Sequence, residues 1–140
     1  MSASQQAAGA MQFGRFLMAG GLAAAANYGS RFLFSIWFNF EVAVVFAFFV
    51  GLTTGFLLMR GFVFDASGRP LLPQLWRYVA VNFLALLQTL IISVLLARWV
   101  LPAIGIHELA EPIAHALGVA VPVVTSYLGH RYWTFRPRTF

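Results

Sequence analysis

The chain has no cysteine and no lysine, and only four of its 140 residues are acidic. Without cysteine there is no disulfide, no thiol nucleophile and no cysteine-ligated metal. Charge of either sign is scarce, at 9% of residues against 61% hydrophobic. A water-soluble domain carries roughly 25% charged residues, so this surface must face something other than water. A lipid bilayer is the solvent that accepts it. All nine basic residues are arginine, and the formal net charge is +5. Nucleic-acid binding needs a soluble basic face, whereas these arginines stand between apolar blocks. Beside a membrane, arginine sets orientation or grips phosphate through its forked guanidinium. No nucleotide-binding glycine loop is present.

What the chain does have is four long apolar blocks, at about residues 14–38, 42–59, 78–101 and 112–129. Each is near the ~20 residues that carry a helix across ~30 Å of hydrocarbon, and none alternates as a barrel strand would. The expectation is an all-α integral membrane protein: four transmembrane helices in one domain, 14–136, after a flexible tail, 1–13. The stretch AAAANYGS resembles a signal cleavage site. Apolar residues continue beyond it and no charge precedes Arg15, so the block is read as a span rather than a leader.

Four spans place both termini and the central connector, GFVFDASGRPLLPQLW, on one side. That side collects Arg15, Arg60, Arg69, Arg77, Arg131, Arg136 and Arg138. Only Arg31 and Arg98 fall towards the other, with Glu41, Glu108 and Glu111. By the positive-inside rule the arginine-rich side, with both termini, is cytoplasmic.

Two stretches echo each other: GFLLMRGFVF at 55–64 and SYLGHRYWTF at 126–135. A shift of 71 residues lays Ala43 on Ala114, Thr54 on Thr125, Arg60 on Arg131, Phe62 on Trp133 and Phe64 on Phe135. A shift of 62 lays RFLMAGG (15–21) on RYVAVNF (77–83). The chain is thus read as two helical hairpins of common pattern. Each has an even number of spans, so the copies are expected to run the same way through the membrane, as parallel repeats do.

The arrangement resembles the GtrA-like family of small membrane proteins. A first span opens on R-F-L-x-x-G-G, here RFLMAGG, and the even spans close on an arginine and a W-T-F-like ending. HRYWTF matches that ending closely; MRGFVF is a looser copy, with Met59 where the family favours a polar residue. The resemblance covers residues 13–136. It implies a four-helix subunit of the bacterial inner membrane that moves polyprenyl-phosphate-linked sugars for cell-surface polysaccharide synthesis, or assists a membrane glycosyltransferase that makes or uses them.

An ionisable group inside a span is a site candidate by default. Arg31 stands sixteen residues beyond Arg15, about 24 Å along a helix, in the outer half of the bilayer. Asn27 lies one turn below it, with Gly20, Ala24 and Ser35 on the same face. In the third span Asn82, Ala85, Thr89 and Ser93 form a matching stripe with Gln88 on its flank; the shift of 62 puts Asn27 on Thr89 and Arg31 on Ser93. The two stripes are expected to line a polar seam between the hairpins. There Asn, Gln, Ser and Thr serve sugar hydroxyls, Arg31 takes phosphate in the outer half, and Arg60 and His130–Arg131 act near the inner face. The bland reading of the same residues is helix-to-helix hydrogen bonding and interfacial anchoring, and Trp76, Trp99, Tyr132 and Trp133 read as belt aromatics.

Gly51 and Gly55 form a G-x-x-x-G that lets a helix approach closely, and Pro122 is expected to kink the fourth span. His107, His115 and His130 are too far apart for a metal site, no nucleophile stands beside a base, and neither enzyme activity nor a cofactor is expected. Three readings follow: a flippase-like translocator, a non-transporting anchor for a glycosyltransferase, and an exporter of cations. The last needs a buried acid, and the only charge well inside a span is Arg31. A chain this small is expected to self-associate or to pair with a larger subunit.

Overall fold

The computed structural model describes residues 1–137; Arg138, counted above on the arginine-rich side, lies outside the described residues. Among the described residues every regular element is helical: α1 (Ala3–Phe34), α2 (Phe40–Leu58), α3 (Leu71–Leu95), a single turn α4 (Leu101–Ala103) and α5 (Ala110–Gly129). A π-turn extends α2 over Met59–Val63, another extends α3 over Leu96–Val100, and a third extends α5 over His130–Thr134. The chain divides into two units, Met1–Pro70 and a second beginning at Leu71, each a helical hairpin.

Three helical segments, Phe40–Val63, Leu71–Ala103 and Ala110–Thr134, are long and apolar enough to cross a membrane. The fourth long helix, α1, has the length, at 32 residues, but small and polar residues in GGLAAAANYGS thin its hydrophobicity. The expectation of four spans is thus matched by four long helices, of which three have spanning composition.

Helix boundaries follow from caps and prolines. α1 starts at Ala3, well before residue 14, because Ser2 and Gln5 make a reciprocal capping box: the Ser2 amide donates to Gln5 Oε1 at 2.9 Å and the Gln5 amide to Ser2 Oγ at 3.3 Å. Residues assigned to a tail therefore begin as helix. Asn39 caps α2 by accepting from the Val42 amide at 3.1 Å. α3 begins seven residues before the apolar block at 78. Pro73 falls in its first turn, where a missing N–H costs no helical hydrogen bond. Pro112 stands likewise in the first turn of α5.

Both hairpins close on small residues at a spacing of four. On α2 these are Ala43, Ala47, Gly51 and Gly55; on α5 they are Ala110, Ala114, Gly118 and Pro122, and all are buried. Such a stripe brings helix backbones together where lipid supplies no hydrophobic driving force. A Cβ added to Gly51 would stand 2.7 Å from Asn27 Cβ and 3.1 Å from the Ala23 carbonyl oxygen. One added to Gly118 would collide with Ser93 Oγ and reach the Thr89 carbonyl at 3.0 Å. Meanwhile Phe48, Phe83, Leu86, Ile91 and many other large apolar side chains lie exposed, as a lipid-facing surface requires.

The repeat extends to the backbone. The Phe64 amide donates to the Met59 carbonyl and the Phe135 amide to the His130 carbonyl, both at 2.9 Å, closing π-turns offset by the same 71 residues. On the first helix of each hairpin Phe16 and Ala19, and Tyr78 and Val81, are buried, and the Phe135 ring lies 6.5 Å from that of Tyr78. These four are again partners under the shift of 62.

Candidate functional site

At the arginine-rich end of the first hairpin, the Arg15 guanidinium lies 5.3 Å from the centre of the Phe62 ring. In the second, Arg77 lies 5.9 Å from the Trp133 ring, its partner under the repeat, and donates from Nη1 to the Trp133 carbonyl at 3.3 Å. A guanidinium over an aromatic face is a stabilising contact, so each hairpin latches its π-turn to its first helix with the same chemistry.

The sequence-derived candidates fall into separate settings. Asn27 is half-buried against Gly51, inside its own hairpin. Arg31, four residues on, is surrounded by rings: Phe32 at 4.2 Å, Phe40 at 5.3 Å and Tyr28 at 5.6 Å. Among the described residues its guanidinium has no hydrogen-bond or carboxylate partner, so its five donors are presented to whatever comes to it. Arg60 instead donates from Nη2 to the carbonyls of Ser67 at 2.7 Å and Arg69 at 2.9 Å, and Arg69 donates to the Phe64 and Asp65 carbonyls. These two arginines tie down the loop in which Asp65 takes a left-handed φ of 45°, a conformation Asp tolerates better than most residues.

In the second hairpin, Asn82 donates to the Tyr78 carbonyl of its own helix at 2.8 Å. Thr89 and Ser93 back onto Gly118, and the Ser93 hydroxyl oxygen is buried without a hydrogen-bond partner. The stripe drawn from the sequence therefore turns in part towards each hairpin's own second helix. A lone polar group in an apolar span is cheapest to keep where a neighbouring helix excludes hydrocarbon. His130 is 1% exposed. Its ring stacks on Tyr78 at 5.1 Å, and Nδ1 pairs with Thr134 Oγ1 at 3.1 Å. Arg131 donates to the Tyr127 hydroxyl at 3.2 Å and lies 5.3 Å from the Tyr132 ring.

Gln88 stands apart from its neighbours. The Thr125 hydroxyl donates to Gln88 Oε1 at 2.6 Å and also reaches the Pro122 carbonyl of its own helix at 3.3 Å; the pair lines a cavity of about 170 Å³ together with Val81, Ala85, Gly129 and Trp133. Trp133 is fixed by an edge-on contact with Trp76 at 5.1 Å. Sequence reasoning placed Gln88 on the flank of a stripe and Trp133 in an aromatic belt, and did not join them. The only signal was the alignment of Thr125 with Thr54.

A family model described as GtrA/DPMS, transmembrane domain, matches residues 15–135. The match runs from the arginine that latches the first hairpin to the phenylalanine that closes the second π-turn. The chain belongs to the GtrA/DPMS transmembrane-domain family. No curated protein and no solved structure matches it. As a GtrA/DPMS-family chain with three helices of spanning length and composition, it is a multi-pass membrane protein of the lipid-linked-sugar group. The family's ends enclose every candidate discussed above, Gln88 and Trp133 included.

Proposed function

We propose that this protein is a flippase-like translocator of polyprenyl-phosphate-linked monosaccharides in the bacterial inner membrane, supplying sugars for cell-surface polysaccharide or glycan modification. In this reading α1 also spans the bilayer, both termini are cytoplasmic, and the protein performs no covalent chemistry. Family membership supports the lipid-linked sugar. The observation that carries the anionic headgroup is Arg31: a guanidinium braced by three aromatic rings, with its donors unclaimed among the described residues. A fixed cation at that depth attracts a phosphodiester and repels a cationic drug, and Asn27 one turn away offers an amide for the same headgroup. The polyprenyl tail stays in lipid throughout, where the exposed apolar surface is its solvent.

The second reading is an accessory subunit that positions a membrane glycosyltransferase, alone or as a homo-oligomer. The internal hydrogen bonds of Arg60 and Asn82 favour it, because they engage donors of two candidates with the protein's own backbone. Reconstitution of the purified chain in vesicles with a labelled polyprenyl-phosphate monosaccharide separates the two. Leaflet exchange with no enzyme present supports translocation, and its absence supports the accessory reading.

A further inference from the structure

The geometry points to a sugar-ring subsite in the second hairpin, in which the Trp133 indole holds the apolar face of the monosaccharide and the Gln88–Thr125 pair hydrogen-bonds its hydroxyls. This inference deepens the proposed function and rests on it.

The groove lies between α3 and α5. Trp133 lines it, 39% exposed and in contact with Trp76 and Arg77. An indole fixed in this way is a flat apolar plate with polar edges, the shape that suits the C–H face of a pyranose. Val81 and Ala85 continue the apolar wall. On the same lining Gln88 Oε1 accepts from Thr125, and the Gln88 amide N–H donors have no partner among the described residues. In hydrocarbon an amide with idle donors is costly, and hydroxyl oxygens are the acceptors that relieve it. A volume of about 170 Å³ suits one sugar ring.

Depth adds to the argument. Gln88 is eleven residues beyond Arg77 on α3, about 16 Å along the axis. It therefore stands roughly halfway across ~30 Å of hydrocarbon, where a transiting headgroup most needs a polar partner. The first hairpin is built without this pair. Ala26 stands where Gln88 does and Phe62 where Trp133 does; Thr54 donates to the Val50 carbonyl of its own helix at 2.8 Å, as Thr125 does to that of Pro122 at 3.3 Å, but lacks the cross-helix acceptor that Gln88 gives Thr125.

The test is equilibrium binding of the purified full chain in phosphatidylcholine nanodiscs to two probes, a short-chain prenyl-phosphate hexose and the same prenyl phosphate without sugar. Gln88→Ala and Trp133→Phe install the residues of the first hairpin, which its packing already accommodates; folding is checked by thermal melting. The wild type is expected to prefer the sugar-bearing probe. Each variant is expected to lose roughly five- to tenfold of that preference while binding the sugar-free probe unchanged. A preference that survives in both variants overturns the subsite and leaves the proposed function standing. Equal loss for both probes makes the groove a tail-binding cleft and also overturns it. No binding of either probe by the wild type removes the proposed function itself.

Discussion

Gly51 and Asn27 meet where α2 crosses α1, so closely that a methyl group on the glycine would lie 2.7 Å from the asparagine Cβ. That approach fixes how deeply the first hairpin closes and how Asn27 is turned. Gly51→Ala is expected to cost about 1–3 kcal/mol by overpacking, read as a lower melting temperature in detergent. Gly20→Ala, where an added methyl meets nothing within 4 Å, serves as the control and leaves the melt unchanged or raised.

The second hairpin carries a polar pair, His130 and Thr134, where the first has Met59 and Val63, which are also buried. Thr134→Val alone strips Nδ1 of His130 of its partner and is expected to cost about 1–3 kcal/mol. His130→Met with Thr134→Val recreates the first hairpin's pairing. The double variant is therefore expected to cost less than the two single changes added together, a coupling read from a double-mutant cycle of thermal melts. Additive costs would show that the two π-turns differ in more than these side chains.

How much of this was legible in the sequence depends on the kind of feature. The offset of 71 residues could be read from Arg60, Phe62 and Phe64 against Arg131, Trp133 and Phe135. The π-turns could not, because a wider turn has no residue signature beyond the burial of Phe64 and Phe135 that it allows. The start of α1 was written in Ser2 and Gln5 but lay in a segment without apolar periodicity. The direction of the polar stripes was not legible. Positions 27 and 93 sit on helix faces whose rotation is decided by where Gly51 and Gly118 allow an approach. The bonds of Arg60 were not legible for a similar reason: its Nη2 donates to backbone carbonyls of a loop, and carbonyls are the same in every sequence.

Topology has a direct check, because the native chain offers no competing thiol. Single cysteines at Ser2, Ser67, Asn39 and His107 are labelled in intact cells with a membrane-impermeant maleimide. Four spans with cytoplasmic termini predict labelling at positions 39 and 107 and protection at 2 and 67 until the cells are broken. The same accessibility at positions 2 and 39 would mean that α1 does not cross, and labelling at 2 with protection at 39 would mean that the whole topology is inverted.

The aromatic bracing of Arg31 makes a prediction of its own. Phe32→Ala removes the nearest ring, at 4.2 Å, and loosens the guanidinium without removing its charge. Affinity for a prenyl phosphate is expected to fall by roughly twofold to fivefold, as loss of one partly exposed cation–π contact implies, and Phe32→Tyr is expected to restore it. Equal affinity in the alanine variant would show that the rings only anchor the helix end.

The central claim is that a fixed cation on α1 receives the phosphate of a lipid-linked sugar during transfer between leaflets. The most direct measurement is leaflet exchange of a labelled polyprenyl-phosphate monosaccharide in vesicles holding the wild type, Arg31→Ala or Arg98→Ala, at matched protein density. The account predicts exchange by the wild type and by Arg98→Ala, and at least a tenfold slower rate for Arg31→Ala, the loss of roughly one charge-assisted hydrogen bond to phosphate. Equal exchange by all three would contradict it.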